Sequence, residues 1–79
     1  MMDVRTTLER EFGGSWDGGR REVHGLVVDR ERKLKVELLY SPSRKIWNCT
    51  LFYGGACVGQ ASREDPVDAV RNALDCSND

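Results

Sequence analysis

The stretch LKVELLY, residues 34–40, constrains this chain more than any other. Leu34, Val36, Leu38 and Tyr40 recur at every second position, and Lys35 and Glu37 fall between them. A period of two belongs to a strand with one side in a core and the other toward water. Such a strand needs neighbours to complete its hydrogen bonds and a layer to cover its apolar side. The neighbours are at hand. VHGLVV before it and IWNCTLFY after it are β-branched and aromatic runs of strand length, set off by the turn signals DRERK and SPSR, and Gly54-Gly55 then turns the chain into ACVGQAS. Four consecutive strands joined by short turns predict an antiparallel meander.

The register of that meander is testable against the hydrophobic pattern, because a slip of one residue moves every side chain to the opposite face. A four-residue SPSR loop pairs Tyr40 with Lys45 and Leu38 with Trp47. The glycine turn pairs Leu51 with Val58, and Val28 is set against Leu34. One face then collects Leu26, Val28, Leu34, Val36, Leu38, Trp47, Cys49, Leu51, Tyr53, Ala56 and Val58. His24 shares that face at one end of its strand. The other face carries Val23, Val27, Leu39, Ile46, Phe52 and Cys57, interrupted by Lys35, Glu37, Asn48 and Thr50.

Cover for the apolar face comes from the two ends of the chain. In EDPVDAVRNALD, Asp65 is placed to cap a helix, Pro66 fits its first turn, and Asp68 sits near the positive end of the helix dipole. Val67, Val70, Ala73 and Leu74 make its apolar stripe. At the other end Asp3 caps a helix running through Phe12, with Met1, Val4, Leu8 and Phe12 at helical spacing and Gly13-Gly14 ending it. This first helix packs beside the last one, at the sheet edge, or across the outer face. The fold class expected is α+β, a four-stranded antiparallel meander with an N-terminal and a C-terminal helix (α-β-β-β-β-α), forming one domain over residues 1–79.

Composition narrows the functions open to such a domain. The chain has 12 Lys and Arg against 13 Asp and Glu, a formal net charge of −1, so no global field draws it to nucleic acid or to an anionic membrane. MMDVRTTLER holds no apolar run of signal-peptide type, and no segment approaches the ~20 apolar residues of a spanning helix. A cytoplasmic protein is expected. Cys49, Cys57 and Cys76 cannot all pair and have no zinc-type spacing, so free thiols and no metal or cofactor are expected. His24 is the one histidine, and the sequence names no partner to orient it for general base chemistry. The domain reads as a non-enzyme.

Two surfaces remain as candidates for binding. EFGGSWDGGRR places Trp16 between glycine pairs in what reads as a loop from Gly13 to Arg21, longer than the usual ~4 to 6 residues. In a meander that loop ends beside the SPSR turn, so Arg20 and Arg21 approach Arg44 and Lys45, with Trp16 beside them. Trp and Arg dominate binding hot spots. Glu64, Asp65, Asp68 and Asp75 on the last helix supply the opposite charge. The outer face of the sheet, with Leu39 and Phe52, is the second candidate, for self-association.

Strand, turn, strand and an amphipathic helix ending in Ala-Leu, KIWNCTLFYGGACVGQASREDPVDAVRNALD, resembles the second half of a double-stranded-RNA-binding domain in topology. In that family the helix opens on lysines that hold phosphates. Here the matching positions are Glu64, Asp65, Pro66, Val67 and Asp68, so the RNA contacts do not carry over. The same hairpin and EDPVDAVRNAL helix are similar to the endings of small phage and mobile-element proteins, anti-CRISPR and other anti-defence proteins among them. That resemblance implies a phage-encoded inhibitor that sterically occludes a host nucleic-acid-handling complex, in the host cytoplasm, its partner a host protein or ribonucleoprotein. Direct RNA or DNA binding through the basic turns and a homodimeric structural protein are the alternatives.

Overall fold

In the computed structural model, which describes residues 3–77, Asp3 opens helix α1 (Val4–Phe12) by accepting a hydrogen bond from the Arg5 amide at 3.2 Å. The Arg5 side chain and amide both bond to that carboxylate and hold its pKa below the usual range. Gly13, at φ 69°, ends the helix by donating its N–H to the Glu9 carbonyl. Val4 and Phe12 pack against the core and Leu8 lies within it; Met1, the remaining member of the expected stripe, lies outside the described residues.

Five strands follow: β1 (Ser15–Gly18), β2 (Glu22–Asp29), β3 (Arg32–Ser41), β4 (Ile46–Tyr53) and β5 (Ala56–Arg63). They form one antiparallel sheet in chain order, and α2 (Pro66–Ser77) closes the chain. The class is α+β, as the sequence implies, with one strand more than the four expected. The additional strand is β1, cut from the segment that reads as a loop.

Three pairings differ from the sequence reading. Arg30 and Glu31 both take positive φ, 51° and 68°, and form the two-residue turn between β2 and β3. This tight turn favours left-handed backbone at both positions. It sets Val27 rather than Val28 against Leu34. Every β2 side chain therefore changes side: Val23 and Val27 enter the core, while Leu26, Val28 and His24 leave it. Between β3 and β4, Tyr40 pairs with Trp47 and Leu38 with Cys49, a shift of two residues that keeps the faces as expected. Between β4 and β5 an irregularity at Leu51/Phe52 pairs Leu51 with Gly59 instead of Val58.

Both helices lie on one side of the sheet. A single buried cluster joins Leu8 of α1, Trp16 of β1, the inward residues of β2, β3 and β4, and Ala69, Val70 and Ala73 of α2. Gly59 lets α2 come close, since a Cβ there would meet the Ala73 carbonyl oxygen at 2.5 Å. Arg71 ties the helices together, 3.3 Å from Glu11. At the far end of α2, Arg32 bonds to the Ser77 hydroxyl at 3.3 Å and lies over the Tyr53 ring.

Candidate functional site

With both helices on one side, the other side of the sheet has no layer over it among the described residues. Leu26 is 59% exposed, Val28 69% and Leu39 40%, and Phe52 is half-buried. These four lie on adjacent strands at the middle of the sheet. The ladder arranges their face in rows across the strands. Ser15, Leu26, Lys35, Phe52 and Cys57 form one row, and Asp17, His24, Glu37, Thr50 and Gln60 form the next. Beyond the first row lie Val28 and Lys33; beyond the second lie Glu22, Leu39, Asn48 and Ser62. Large apolar groups on neighbouring strands, interleaved with Lys35 and Glu37, make this face the candidate contact surface.

Charge on this face is divided along the strand direction. Lys33 and Lys35 occupy the half nearer the β2–β3 turn, while Asp17, Glu22 and Glu37 occupy the other half. His24 lies 2.8 Å from Glu22, which fixes the ring within the acidic half. Two shallow depressions mark the face. One of about 260 Å³ is lined by Ser15, Asp17, His24, Gly25, Leu26 and Lys35; the other, of about 360 Å³, runs from Leu26 past Lys35 and Phe52 to Gly54 and Gly55. Leu26 and Lys35 border both.

The residues expected to bind a partner are only partly brought together. Turns 19–21 and 42–45 and the junction between β5 and α2 all fall at one end of the sheet, so Arg20, Arg21, Arg44, Lys45, Glu64 and Asp65 share that end. The Arg21 carbonyl accepts a hydrogen bond from the Tyr40 amide at 2.8 Å, which seats the first turn beside the end of β3. Two of the acids have structural partners. Asp65 caps α2 by accepting from the Val67 amide at 2.7 Å, and Asp68 lies 3.8 Å from Arg71. Asp75 sits in the last turns of α2, toward the opposite end.

Trp16 is not an exposed anchor. It is 9% exposed, paired across the ladder with Gly25, and its indole N–H donates to the Gly13 carbonyl at 2.7 Å. A Cβ on residue 25 would stand 2.4 Å from the ring, so the missing side chain of Gly25 makes the notch into which Trp16 fits. The glycine pairs around it therefore serve a short edge strand, and the indole completes the core at that edge. Leu39 and Phe52, expected on the outer face, are found there; Leu26 and Val28 join them because of the β2 register.

Among the described residues, thiols and acids form no further centre. Cys49 is buried, and desolvation pushes its thiol up to about 12; Cys57 and Cys76 are free and exposed. Among the described residues no group of three His, Cys, Asp or Glu side chains is arranged to hold a metal ion. Nor is any helix among them long and apolar enough to cross a membrane. No family model, curated protein or solved structure matches the chain.

Proposed function

We propose that this chain is a non-enzymatic binding protein that acts by occupying surface, with the uncovered face of its sheet as the principal contact area. The observation that carries this reading is the exposure of Leu26, Val28 and Leu39 on adjacent strands of a face that neither helix covers. An apolar group of this kind costs solubility unless another molecule buries it. The charged end bearing Arg20, Arg21, Arg44, Lys45, Glu64 and Asp65 is a second contact, suited by its mixed sign to a protein or ribonucleoprotein. The likeness of the closing hairpin and helix to small phage proteins supports the narrower role, a phage-encoded inhibitor that occludes a host nucleic-acid-handling complex.

The test is capture of partners by the full chain from host lysate, compared between surface variants. Leu26→Asp should abolish the captured complex, while Thr6→Lys on the exposed side of α1 should retain it. Undiminished capture by Leu26→Asp, together with unchanged self-association, overturns the open face as the contact area. A parallel titration of labelled duplex RNA and DNA at low salt separates the nucleic-acid alternative, which predicts a shift that weakens steeply as salt rises.

A further inference from the structure

We infer that the open face of the sheet is occupied by a second copy of this chain, the two sheets stacked face to face about a two-fold axis that lies between them and runs across the strands. This inference rests on reading that face as a contact surface, and it names the occupant. Charge decides the occupant and the geometry together. Lys33 and Lys35 hold one half of the face, and Glu22 and Glu37 hold the other. Among the described residues, Lys33, Lys35 and Glu37 have no ion-pair partner within the chain.

Two in-plane two-fold axes can stack identical sheets with their strands aligned, as face-to-face sheets prefer. An axis along the strands lays each row on itself. With that axis over β3, the middle strand, Lys35 meets Lys35 and Glu37 meets Glu37, which is repulsive. An axis across the strands, passing at Val36 of β3, exchanges the two halves. Lys35 then stands over Glu37 of the other copy and Glu37 over its Lys35, two pairs from one contact. The same operation lays the row of Glu22 and Leu39 over the row of Val28 and Lys33. Leu39 of one copy stands over Lys33 of the other and Glu22 over its Val28, so Leu39 and Val28, and likewise Glu22 and Lys33, meet diagonally one strand apart, about 4.8 Å. Sheets stacked at about 10 Å leave room for side chains of this length to interdigitate.

In such a dimer Leu26 of each copy packs on His24 of the other and Phe52 on its Thr50, while Leu39 and Val28 are covered diagonally from the neighbouring strand of the other copy. The charged ends with Arg20, Arg44 and Glu64 then point away at the two opposite poles, open to a target. The dimer is thus compatible with occlusion and makes it bivalent.

Sedimentation equilibrium of the full chain over micromolar to millimolar concentration tests the inference, with circular-dichroism melts to show that each variant is folded. Wild type should sediment as a dimer. Lys35→Glu and Glu37→Lys should each weaken the dimer about a hundredfold, because each sets like charges together at two symmetric places. The double variant Lys35→Glu/Glu37→Lys exchanges the charges on both copies and should restore association. Leu26→Asp should give a folded monomer.

A wild-type monomer at millimolar concentration, or a dimer unaffected by either single reversal, overturns the inference. Failure of the second-copy assignment is distinguishable from failure of the contact face. If the chain is monomeric and Leu26→Asp still abolishes capture of a host partner, the face binds another macromolecule. If Leu26→Asp retains capture as well, the contact face itself is refuted.

Discussion

Leu38 and Leu39 are chemically identical neighbours in one strand, yet the first is fully buried and the second is 40% exposed. The pleat sends them to opposite sides of the sheet, and the two sides have different tasks. On Leu38's side lie the helices, Trp16 and a core that excludes water; on Leu39's side lies a face where apolar groups share space with Lys35 and Glu37. One face makes the fold, and the other is the proposed face of association. In a chain of 79 residues, with little core to spare, apolar residues left in water point to a use outside the domain.

The sharpest way to break this contrast is to truncate both leucines. Leu38→Ala should cost about 2–5 kcal/mol, as for other fully buried leucines, whereas Leu39→Ala should change monomer stability by less than about 0.5 kcal/mol. Urea unfolding at low protein concentration measures both. Comparable losses would mean that the outer face is also part of the core.

Next in size is the notch that seats Trp16. Gly25→Ala drives a Cβ into an indole that is buried and tethered to Gly13, so the ring cannot swing aside cheaply. A loss of about 1–3 kcal/mol is expected, the usual cost of overpacking. In a Trp16→Ala background the same substitution should cost far less, and a double-mutant cycle reads that coupling.

Cys49 provides a chemical contrast with the two exposed thiols. Burial raises its folded pKa from 9.0 to about 12, so the folded state keeps the proton where the unfolded chain releases it. The stability associated with the neutral thiol is complete below pH 9 and falls between pH 9 and 12, by roughly 1.4 kcal/mol per pH unit at most. Cys49→Ala should flatten that alkaline decline. In native protein dilute enough to be monomeric, iodoacetamide should modify Cys57 and Cys76 quickly and Cys49 only on unfolding, as peptide mass spectrometry would record. Rapid native labelling of Cys49 would contradict a sealed inner face.

The smallest effect expected is that of Trp16→Phe, which keeps an aromatic ring in the notch but removes the hydrogen bond to Gly13. A cost of about 1 kcal/mol follows. A larger loss would show that the indole holds the β1 edge by more than that bond.

Much of this architecture is legible in the residues, and the failures have local causes. The helix caps at Asp3 and Asp65 and the alternation in β3 rest on short-range chemistry that sequence displays directly. β1 is harder to see, because SWDG has a single apolar residue and the glycines in and around it read as flexibility. The β2 register depends on Arg30 and Glu31 taking positive φ, a conformation their side chains do not advertise. Its one visible sign is Gly25 between Val23 and Val27, an inward gap that makes sense only when Trp16 is placed over it. That single step of register decides the candidate site. With Val28 facing inward, Val23 and Val27 would stand beside Leu39 and Phe52 on the outer face; with Val28 outward, Leu26 and Val28 take their place and bring Glu22 and His24 with them.

Contacts between copies can be read directly by nuclear magnetic resonance on a mixed sample, half with carbon-13-labelled methyl groups and half unlabelled. Isotope-filtered Overhauser effects should connect Val28 methyls of one copy to Leu39 methyls of the other, while methyls of Leu38 and Val70 show only contacts within their own chain. Intermolecular signals arising from the α2 side, or none at millimolar protein, would contradict the division of the sheet into a face that folds and a face that pairs.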